Sequence, residues 1–350
     1  MHMKPITIVG GGLAGLTLGI ALRQRGVPAV IWEAGTYPRH RVCGEFISGR
    51  GLGVLQRLGL MPSLEQAGAR PARTAKLFLS KRDCPAQELP GQALCLSRLA
   101  LDALLADRFR ELGGDLRCGT RWTWPTEGEG VVRATGRQTQ AAQSGWRWYG
   151  LKAHARNITL EADLEMHFGP NSYVGLCRLA VGVVNVCGLF RRQASDAPLP
   201  RNPVERFCQT PSGSLGERLA DAEWDEDSFC SVGGLPFRSS LREDSLECRI
   251  GDSLAMIPPV TGNGMSMAFE SAEAAADPLV AFAEQRSDWN AARGAVSEAC
   301  RAAFGSRLHR AGWLHAALFQ PGFQAGLLPW FASRQFLWRL FFRATAGCPA

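Results

Sequence analysis

The first 33 residues combine two short apolar runs with a glycine-rich turn. Ile6–Val9 is a run of β-forming residues, and residues 10–15 contain four glycines. Apolar side chains then recur at helical spacing over 16–22, and Ala29–Trp32 is a second β-rich run that ends at Glu33. A strand, a turn, a helix and a second strand in this order predict the start of an α/β fold with a parallel sheet.

The middle of the chain alternates apolar and polar residues, which predicts half-buried strands. Residues 158–168 alternate with a period of two, and His167 falls on the polar face, where we expect it to be solvated. Further strands are predicted at 146–149, 173–179 and 181–190. We expect an antiparallel sheet that forms one wall of a pocket, and its many apolar and aromatic residues predict a mostly apolar substrate.

Composition narrows the class of protein. A chain of 350 residues suffices for about two packed domains, and 46% hydrophobic against 20% charged residues exclude a disordered or fibrous chain. Eleven cysteines without a Cys-x-x-Cys pair favour reduced thiols in a cytoplasmic protein, and the first residues show no signal-peptide pattern. The six histidines have no zinc-ligand spacing, so no metal site is predicted.

The positive charge of the chain is concentrated at its end. Residues 299–350 contain six arginines and no acidic residue, whereas the remainder has 33 basic and 32 acidic residues, which does not indicate nucleic-acid binding. Residues 311–333 lack charge, but their prolines, glutamines and glycines make a poor membrane span. The Trp- and Arg-containing segment 334–343 predicts a short helix that either covers the pocket or makes peripheral membrane contact.

The glycine-rich turn has the spacing Gly-x-Gly-x-x-Gly, and each glycine has a physical role in binding a dinucleotide. Gly10 permits the tight turn, Gly12 lets a pyrophosphate approach the backbone, and Gly15 lets the helix pack on the strand. Glu33 is placed to accept hydrogen bonds from ribose hydroxyls and would repel a 2′-phosphate, which favours FAD or NAD over NADP. The predicted contacts are Gly10, Gly12, Leu13, Ala14, Gly15, Glu33 and Ala34.

A second motif lies far along the chain. Residues 249–252 predict a strand that ends in Gly-Asp, and Pro-Pro-Val-Thr-Gly-Asn-Gly-Met at 258–265 precedes an alanine-rich helix. This arrangement resembles the second FAD motif of the group A flavoprotein monooxygenases and of the geranylgeranyl reductases. In that superfamily the aspartate holds the ribitol chain, and the helix N-terminus faces the N1–O2 edge of the flavin. The resemblance implies FAD contacts at Gly251, Asp252, Pro259, Gly262, Asn263, Gly264 and Met265.

Three shorter segments resemble the same superfamily. Pro-Arg-His-Arg-Val-Cys-Gly-Glu at 38–45 resembles its Cys-Gly-Glu segment, which runs beside the flavin ring, and 98–102 resembles its Arg-x-x-Leu-Asp segment. Ala-Thr-Gly at 134–136 resembles a motif of broader FAD enzymes. The resemblance implies cofactor contacts at Arg41, Cys43, Gly44, Arg98, Thr135 and Gly136, and it makes Glu45 and Cys43 the candidate catalytic residues.

The fold class that follows is α/β, with three parts. A discontinuous Rossmann-like FAD-binding domain is predicted from residues 1–72, 95–140 and 245–290. An inserted antiparallel β-sheet substrate domain is predicted from 73–94 and 141–244, and a helical C-terminal segment from 291–350. The resemblance implies the fold of the para-hydroxybenzoate-hydroxylase-like superfamily.

The resemblance also implies an activity. We expect an FAD-dependent monooxygenase that uses NAD(P)H as a transient co-substrate and O₂ to hydroxylate a hydrophobic, aromatic or polyketide-like small molecule. The absence of a second dinucleotide fold and of a redox cysteine pair fits this group. The sequence leaves the identity of the substrate and the oligomeric state open.

Three alternatives remain. A reductase or dehydrogenase acting on isoprenoid or other lipophilic double bonds would have a Tyr-x-Trp-x-Phe-Pro strand, but the strand that begins at Tyr173 lacks its Trp, Phe and Pro. A flavin-dependent halogenase would have Trp-x-Trp-x-Ile-Pro, of which only Trp146 and Trp148 are present, and no lysine-bearing halogenase motif is identifiable. The third is a nucleotide-binding scaffold without catalysis.

Overall fold

A computed structural model describes residues 3–79, 82–137, 145–180, 182–193, 195–196, 203–208, 215–235, 237, 241, 246–320, 322–336 and 338–339. The strands in these ranges are β1 (Ile6–Val9), β2 (Ala29–Trp32), β3 (Phe46–Ser48), β4 (Arg70–Leu79), β5 (Arg82–Asp83), β6 (Gln87–Cys95), β7 (Asp115–Arg117), β8 (Val131–Arg133), β9 (Trp146–Arg156), β10 (Leu164–Gly169), β11 (Ser172–Arg178), β12 (Val184–Gln193), β13 (Glu223–Gly233) and β14 (Cys248–Arg249). The α-helices are α1 (Leu13–Gln24), α2 (Arg50–Arg57), α3 (Met61–Gln66), α4 (Arg98–Glu111), α5 (Pro203–Cys208), α6 (Leu215–Ala220), α7 (Gly264–Ala283), α8 (Trp289–Leu318) and α9 (Leu328–Ala332).

Five strands form a parallel sheet in the order β14-β8-β1-β2-β7. Helix α1 packs against this sheet and against the helices α4 and α7, and every residue from Leu13 to Leu22 is buried. Gly19 permits that packing, because a Cβ there would lie 2.8 Å from side-chain atoms of both Ile31 and Phe109. The sheet and its helices share one apolar core, which fixes the ends of the four strands that bear the predicted motifs.

The second sheet has the order β13-β9-β12-β11-β10-β4-β6-β3, with β5 paired to β4. Its pairs are antiparallel except for β4 and β10, which run parallel. β3 and the first residues of β4 join this sheet, although they lie in the range predicted for the FAD-binding domain. The α/β fold class with a parallel sheet, a separate largely antiparallel sheet and a helical C-terminal part is confirmed.

The prediction for 158–168 is wrong in two respects. The strand begins only at Leu164, because Asp163 turns away to accept hydrogen bonds from the backbone N–H groups of Arg73 and Thr74. His167 is fully buried; its ring stacks on Phe78 with centroids 4.2 Å apart, and its Nε2 lies 3.0 Å from Glu165. An alternating pattern shows that two sets of residues lie on opposite faces of a strand, but it does not show that one face is solvated. Here the face that carries His167 is covered as well.

The C-terminal part is helical and packs on the rest of the chain. α8 contacts α7, and the buried Arg307 forms an ion pair with the buried Glu270 at 2.7 Å. After α8, a π-helical turn over Phe323–Leu327 leads into α9. Within the described ranges, no helix is both long and apolar enough to cross a bilayer. Residues 337 and 340–343 of the helix predicted over 334–343 lie outside the described residues.

Asp288 caps the N-terminus of α8, since its Oδ1 accepts a hydrogen bond from Ala291 N at 2.8 Å. We expect Asp288→Ala to lower the free energy of unfolding by about 1 kcal/mol, because one N–H of the first turn loses its partner. Urea unfolding followed by circular dichroism measures this loss. Glu298→Ala, at an exposed position on the same helix, is the control and should leave the free energy of unfolding nearly unchanged. If the two variants unfold at the same urea concentration, the prediction is wrong.

Candidate functional site

The predicted motifs meet at one edge of the parallel sheet. Gly10 follows β1, Glu33 follows β2, and Thr135 lies two residues beyond β8. Gly251 and Asp252 lie just beyond β14. Because parallel strands end at the same edge of a sheet, segments more than 200 residues apart converge there, and this edge is where α/β folds bind nucleotides.

Of the three motif glycines, Gly12 has open space beside its Cα, whereas Gly10 and Gly15 are packed too closely for any side chain. Gly10 has φ +112°, and a Cβ at Gly10 would overlap the Ala134 carbonyl oxygen. A Cβ at Gly15 would overlap the carbonyl oxygen of Gly10. A Cβ at Gly12 would have no heavy atom within 4 Å, so the space beside it is open.

The start of α1 suits a pyrophosphate. Its first turn contains no acidic residue, and no side chain caps its N-terminus. The N–H groups of Leu13 and Ala14 and the positive end of the helix dipole therefore face the open space beside Gly12, where phosphate oxygens can accept hydrogen bonds. The residues present fit the phosphates of FAD.

Glu33 stabilises the glycine turn as well as the edge of the site. Its carboxylate accepts hydrogen bonds from the N–H groups of Gly11 and Gly35 and from Arg39 Nη1, each at 2.8 Å. Burial alone would raise the pKa of Glu33, but these partners outweigh it and lower the pKa to about 2. The ion pair between Arg39 and Glu33 was not predicted from the sequence, although the two residues lie only six positions apart. Ala34 is exposed directly beside Glu33.

Two acidic groups and two arginines lie along the same edge. Arg98 makes a two-pronged ion pair with Asp102, at 2.7 and 2.9 Å, which orients its guanidinium at the start of α4. Asp252 keeps an exposed face, but dense protein on its other sides raises its pKa to about 6, against the opposing charges of Arg98 and Arg137. Arg137 was not predicted, and its only signal in the sequence is that it follows Gly136.

The start of α7 is the second helix N-terminus at the site. Pro259 begins a 3₁₀ turn that ends at Gly262, whose φ of +65° is left-handed, and α7 starts at Gly264. Asn263 and Met265 are buried on either side of Gly264. The first turn of α7 has no acidic residue and no side-chain cap, so its N–H groups suit an electron-rich edge of a ligand.

Glu45 lies in a buried charged network that the sequence did not predict. It is 0% exposed and accepts hydrogen bonds from Arg98 N at 2.9 Å and from His154 Nε2 at 2.7 Å. Lys152 Nζ lies 3.5 Å from Glu45 and donates to His40 Nδ1 at 2.9 Å. The network joins the 38–45 segment to β9, and therefore joins the FAD-binding part to the second sheet.

The other candidates of the 38–45 segment differ in their surroundings. Arg41 and Gly44 are exposed. Burial raises the pKa of the Cys43 thiol, which favours the protonated form, and Cys43 Sγ accepts a hydrogen bond from Glu45 N. Cys43 is half-buried, and a protonated thiol is a poor nucleophile, so these surroundings favour a packing role for Cys43.

One group of potential metal ligands exists among the described residues, where none was predicted. Ligand atoms of His40, His154 and Asp225 lie within 4.8 Å of one another. The Lys152 ammonium is 2.9 Å from His40, and His154 Nε2 already binds Glu45. The adjacent positive charge disfavours a bound cation at this cluster.

An apolar cluster lies beside the start of the second FAD motif. Met256 and Val260, just before α7, pack against a buried cluster whose members include Tyr173 and Leu189 of the second sheet and Phe319 at the end of α8. Trp148 of β9 packs against the same cluster. The cluster therefore joins the second sheet to the C-terminal helices and contacts the loop that precedes α7.

The comparisons with known proteins agree with this geometry. Residues 3–145 match the family described as FAD binding domain. The fold is similar to that of the flavin-dependent brominase Bmp2, with a TM-score of 0.77 and 15% identity over 99% of this chain and 94% of that chain. It is also similar to a flavoprotein/dehydrogenase from Cytophaga hutchinsonii, with a TM-score of 0.72 and 17% identity over 98% of this chain and 93% of that one.

PqsL from Pseudomonas aeruginosa, described as a probable FAD-dependent monooxygenase, has a TM-score of 0.69 and 16% identity over 93% of this chain and 99% of its own. Among curated proteins, conditioned medium factor receptor 1 from Dictyostelium discoideum is 25% identical over 129 residues. That match spans 33% of this chain and only 25% of the receptor.

Together, the family match and the fold define the class: residues 3–145 match an FAD binding domain, and the chain has the fold of flavin-dependent oxidoreductases such as Bmp2 and PqsL. Within that fold, Bmp2, the Cytophaga flavoprotein and PqsL are similar to this chain over nearly its whole length.

Proposed function

We propose that the protein is a monooxygenase that uses NAD(P)H and O₂ to hydroxylate a hydrophobic, aromatic small molecule. The observation that supports this most is the apolar cluster that Met256 and Val260 of the second FAD motif pack against, whose members include the aromatic side chains Tyr173 and Phe319. The structure of PqsL with 2-aminobenzoylacetate, an aromatic compound, supports an aromatic ligand for this fold.

The chain's own residues have defined parts in this proposal. Gly12, the α1 N-terminus, Arg98 and Asp252 would hold the FAD, and the α7 N-terminus would stabilise negative charge on its ring. Bound FAD would supply electron transfer from NAD(P)H and activation of O₂. The apolar cluster would bind the substrate and exclude water beside the ring. We propose that Glu45, whose oxygens are engaged by protein groups, positions the 38–45 segment.

A halogenase is the second candidate, favoured by the similarity to Bmp2 over 99% of this chain. Among the described lysines, Lys4 pairs with Glu129, Lys76 pairs with Glu161, and Lys152 lies in the Glu45 network. Lys76 projects from the face of β4 opposite to Leu77 and Leu79, which belong to the apolar cluster. This placement favours hydroxylation over halogenation.

Anaerobic reduction followed by rapid mixing with O₂ tests the proposal. We expect reduction by NADH or NADPH, then a spectroscopically distinct species before the oxidised flavin returns, and a product one oxygen atom heavier when an aromatic substrate is present. Adding bromide separates the halogenase, which would give a brominated product. Reoxidation with no distinct species and no added oxygen would contradict hydroxylation, and saturation of a lipophilic alkene would then identify a reductase.

A further inference from the structure

Two polar side chains in the apolar cluster have no partner among the described residues. His315 is 7% exposed, and neither of its ring nitrogens has a hydrogen bond. Tyr173 is 5% exposed, and its hydroxyl also lacks one. Buried polar groups are nearly always hydrogen-bonded, because leaving them unpaired costs the full desolvation penalty. Two such groups in one cluster therefore call for a specific explanation.

The two side chains converge from different elements onto the same aromatic surface. The His315 ring, on α8, lies 4.7 Å from Trp148, 4.8 Å from Phe237 and 5.0 Å from Phe319, measured between centroids. The Tyr173 ring, on β11, lies 6.5 Å from the same Phe319. Phe319 is thus a shared aromatic neighbour of both unpaired side chains.

Two other polar side chains of the described residues in this region, Gln324 and Arg191, do have hydrogen-bond partners. Gln324 donates to the carbonyl oxygens of Gly169 and Leu318, at 3.0 and 2.6 Å, which anchors the end of α8 to the sheet. Arg191 donates to Asn171 Oδ1 and to the Phe319 carbonyl oxygen, both at 3.0 Å. The backbone that presents His315 and Phe319 is therefore held in place.

Both unpaired groups are uncharged near neutral pH. Burial, and to a lesser degree the charge of Arg191, lowers the pKa of His315 to about 4. Burial raises the pKa of Tyr173 well above its usual value. Together they present an N–H donor, a nitrogen acceptor and a hydroxyl that can act as either. This set complements an uncharged group that both donates and accepts, and a hydroxyl on an aromatic ring is such a group.

We propose that His315 and Tyr173 are the polar end of the substrate site and bind the hydroxyl of an uncharged aromatic ring held among Trp148, Phe237 and Phe319. The assignment of this place as the substrate site rests on the proposed function, but the hydroxyl preference is a separate claim. It makes His315 and Tyr173 specificity-determining residues that select a ring hydroxyl over a bare ring or a ring carboxylate.

Calorimetric titration of the FAD-loaded protein with three probes of one shape tests the proposal: 2-naphthol, naphthalene and 2-naphthoate. We expect 2-naphthol to bind about tenfold more tightly than either of the others, as one or two buried hydrogen bonds allow. His315→Phe should weaken 2-naphthol binding about tenfold while naphthalene binds as before or more tightly. Tyr173→Phe, which changes only the hydroxyl, should reduce the same preference.

His309→Phe, at an exposed position on the same helix, is the matched control and should leave all three affinities unchanged. Equal affinity of the unaltered protein for 2-naphthol and naphthalene would overturn the proposal. It would indicate that a water molecule is the hydrogen-bond partner of His315 and Tyr173. A His315→Phe variant that loses both ligands equally would also overturn it, since that result indicates packing alone. These titrations involve no oxygen chemistry, so a naphthol preference without oxygen insertion would contradict hydroxylation and leave the binding proposal standing.

Discussion

Gly12→Val is expected to abolish FAD binding while the chain stays folded. The Cβ position at Gly12 is open, and its backbone is extended, with φ −83° and ψ −173°, so valine is accommodated by the protein itself. The side chain would occupy the space through which a pyrophosphate approaches the N–H groups at the start of α1. Loss of two charge-assisted hydrogen bonds corresponds to at least about a 100-fold weaker affinity.

Flavin content after purification and quenching of FAD fluorescence on rebinding measure the effect. Gly305→Ala, at an open position in the interior of α8, is the control and should keep its flavin. Gly10→Val provides the contrast: it should lose the fold as well as the flavin, because φ is +112° and the side chain would overlap Ala134. A Gly12→Val protein that retains stoichiometric FAD would show that the pyrophosphate does not lie beside this turn.

Glu45→Ala is expected to lower the free energy of unfolding by about 3–5 kcal/mol. Glu45 and Lys152 are both 0% exposed, so removal of the carboxylate leaves the ammonium buried without its counter-charge. It also removes the acceptor of His154 and of Arg98 N. Chemical denaturation followed by tryptophan fluorescence measures the change, and the flavin-loaded protein should show it as well.

A double-mutant cycle separates the ion pair from general damage. Glu45→Gln combined with Lys152→Met should lower the free energy of unfolding by less than the sum of the two single changes. Each single change leaves the remaining buried charge without its counter-charge, whereas the double change removes both charges. Glu273→Gln breaks the surface pair with Arg57 and should cost less than about 1 kcal/mol. If Glu45→Ala lowers the free energy of unfolding no more than Glu273→Gln does, the network contributes little to joining the two sheets.

The network also bears on function, because it fixes where the 38–45 segment lies. That segment resembles one that runs beside the flavin ring, and Glu45 ties it to β9 through His154 and Lys152. A variant that weakens the tie should shift the absorbance of bound FAD as well as stability. Such a shift would support a positioning role for Glu45, in contrast to proton transfer with the substrate.

The local geometry of the glycine turn and the position of Glu33 beside it were determined by the sequence alone. Gly10, Gly12 and Glu33 were predictable because a strand, a turn and a helix that follow one another in the chain impose their own spacing. The motif at 251–265 was predictable by its resemblance, and the rule that parallel strands end at one edge brings both motifs together. These features depend on short-range geometry, which periodicity and glycine spacing record directly.

The tertiary structure alone decided which distant side chains meet. Lys152 and His154 lie more than 100 residues from Glu45, and nothing in their strand indicates that they enclose a carboxylate. His167 shows the same limit, since its alternating pattern predicts a solvated face that packing against Phe78 covers. His315 and Tyr173 meet at Phe319 only because α8 ends on the second sheet. Burial and pairing depend on what packs across each face, and a strand or helix records its own periodicity but not its neighbours.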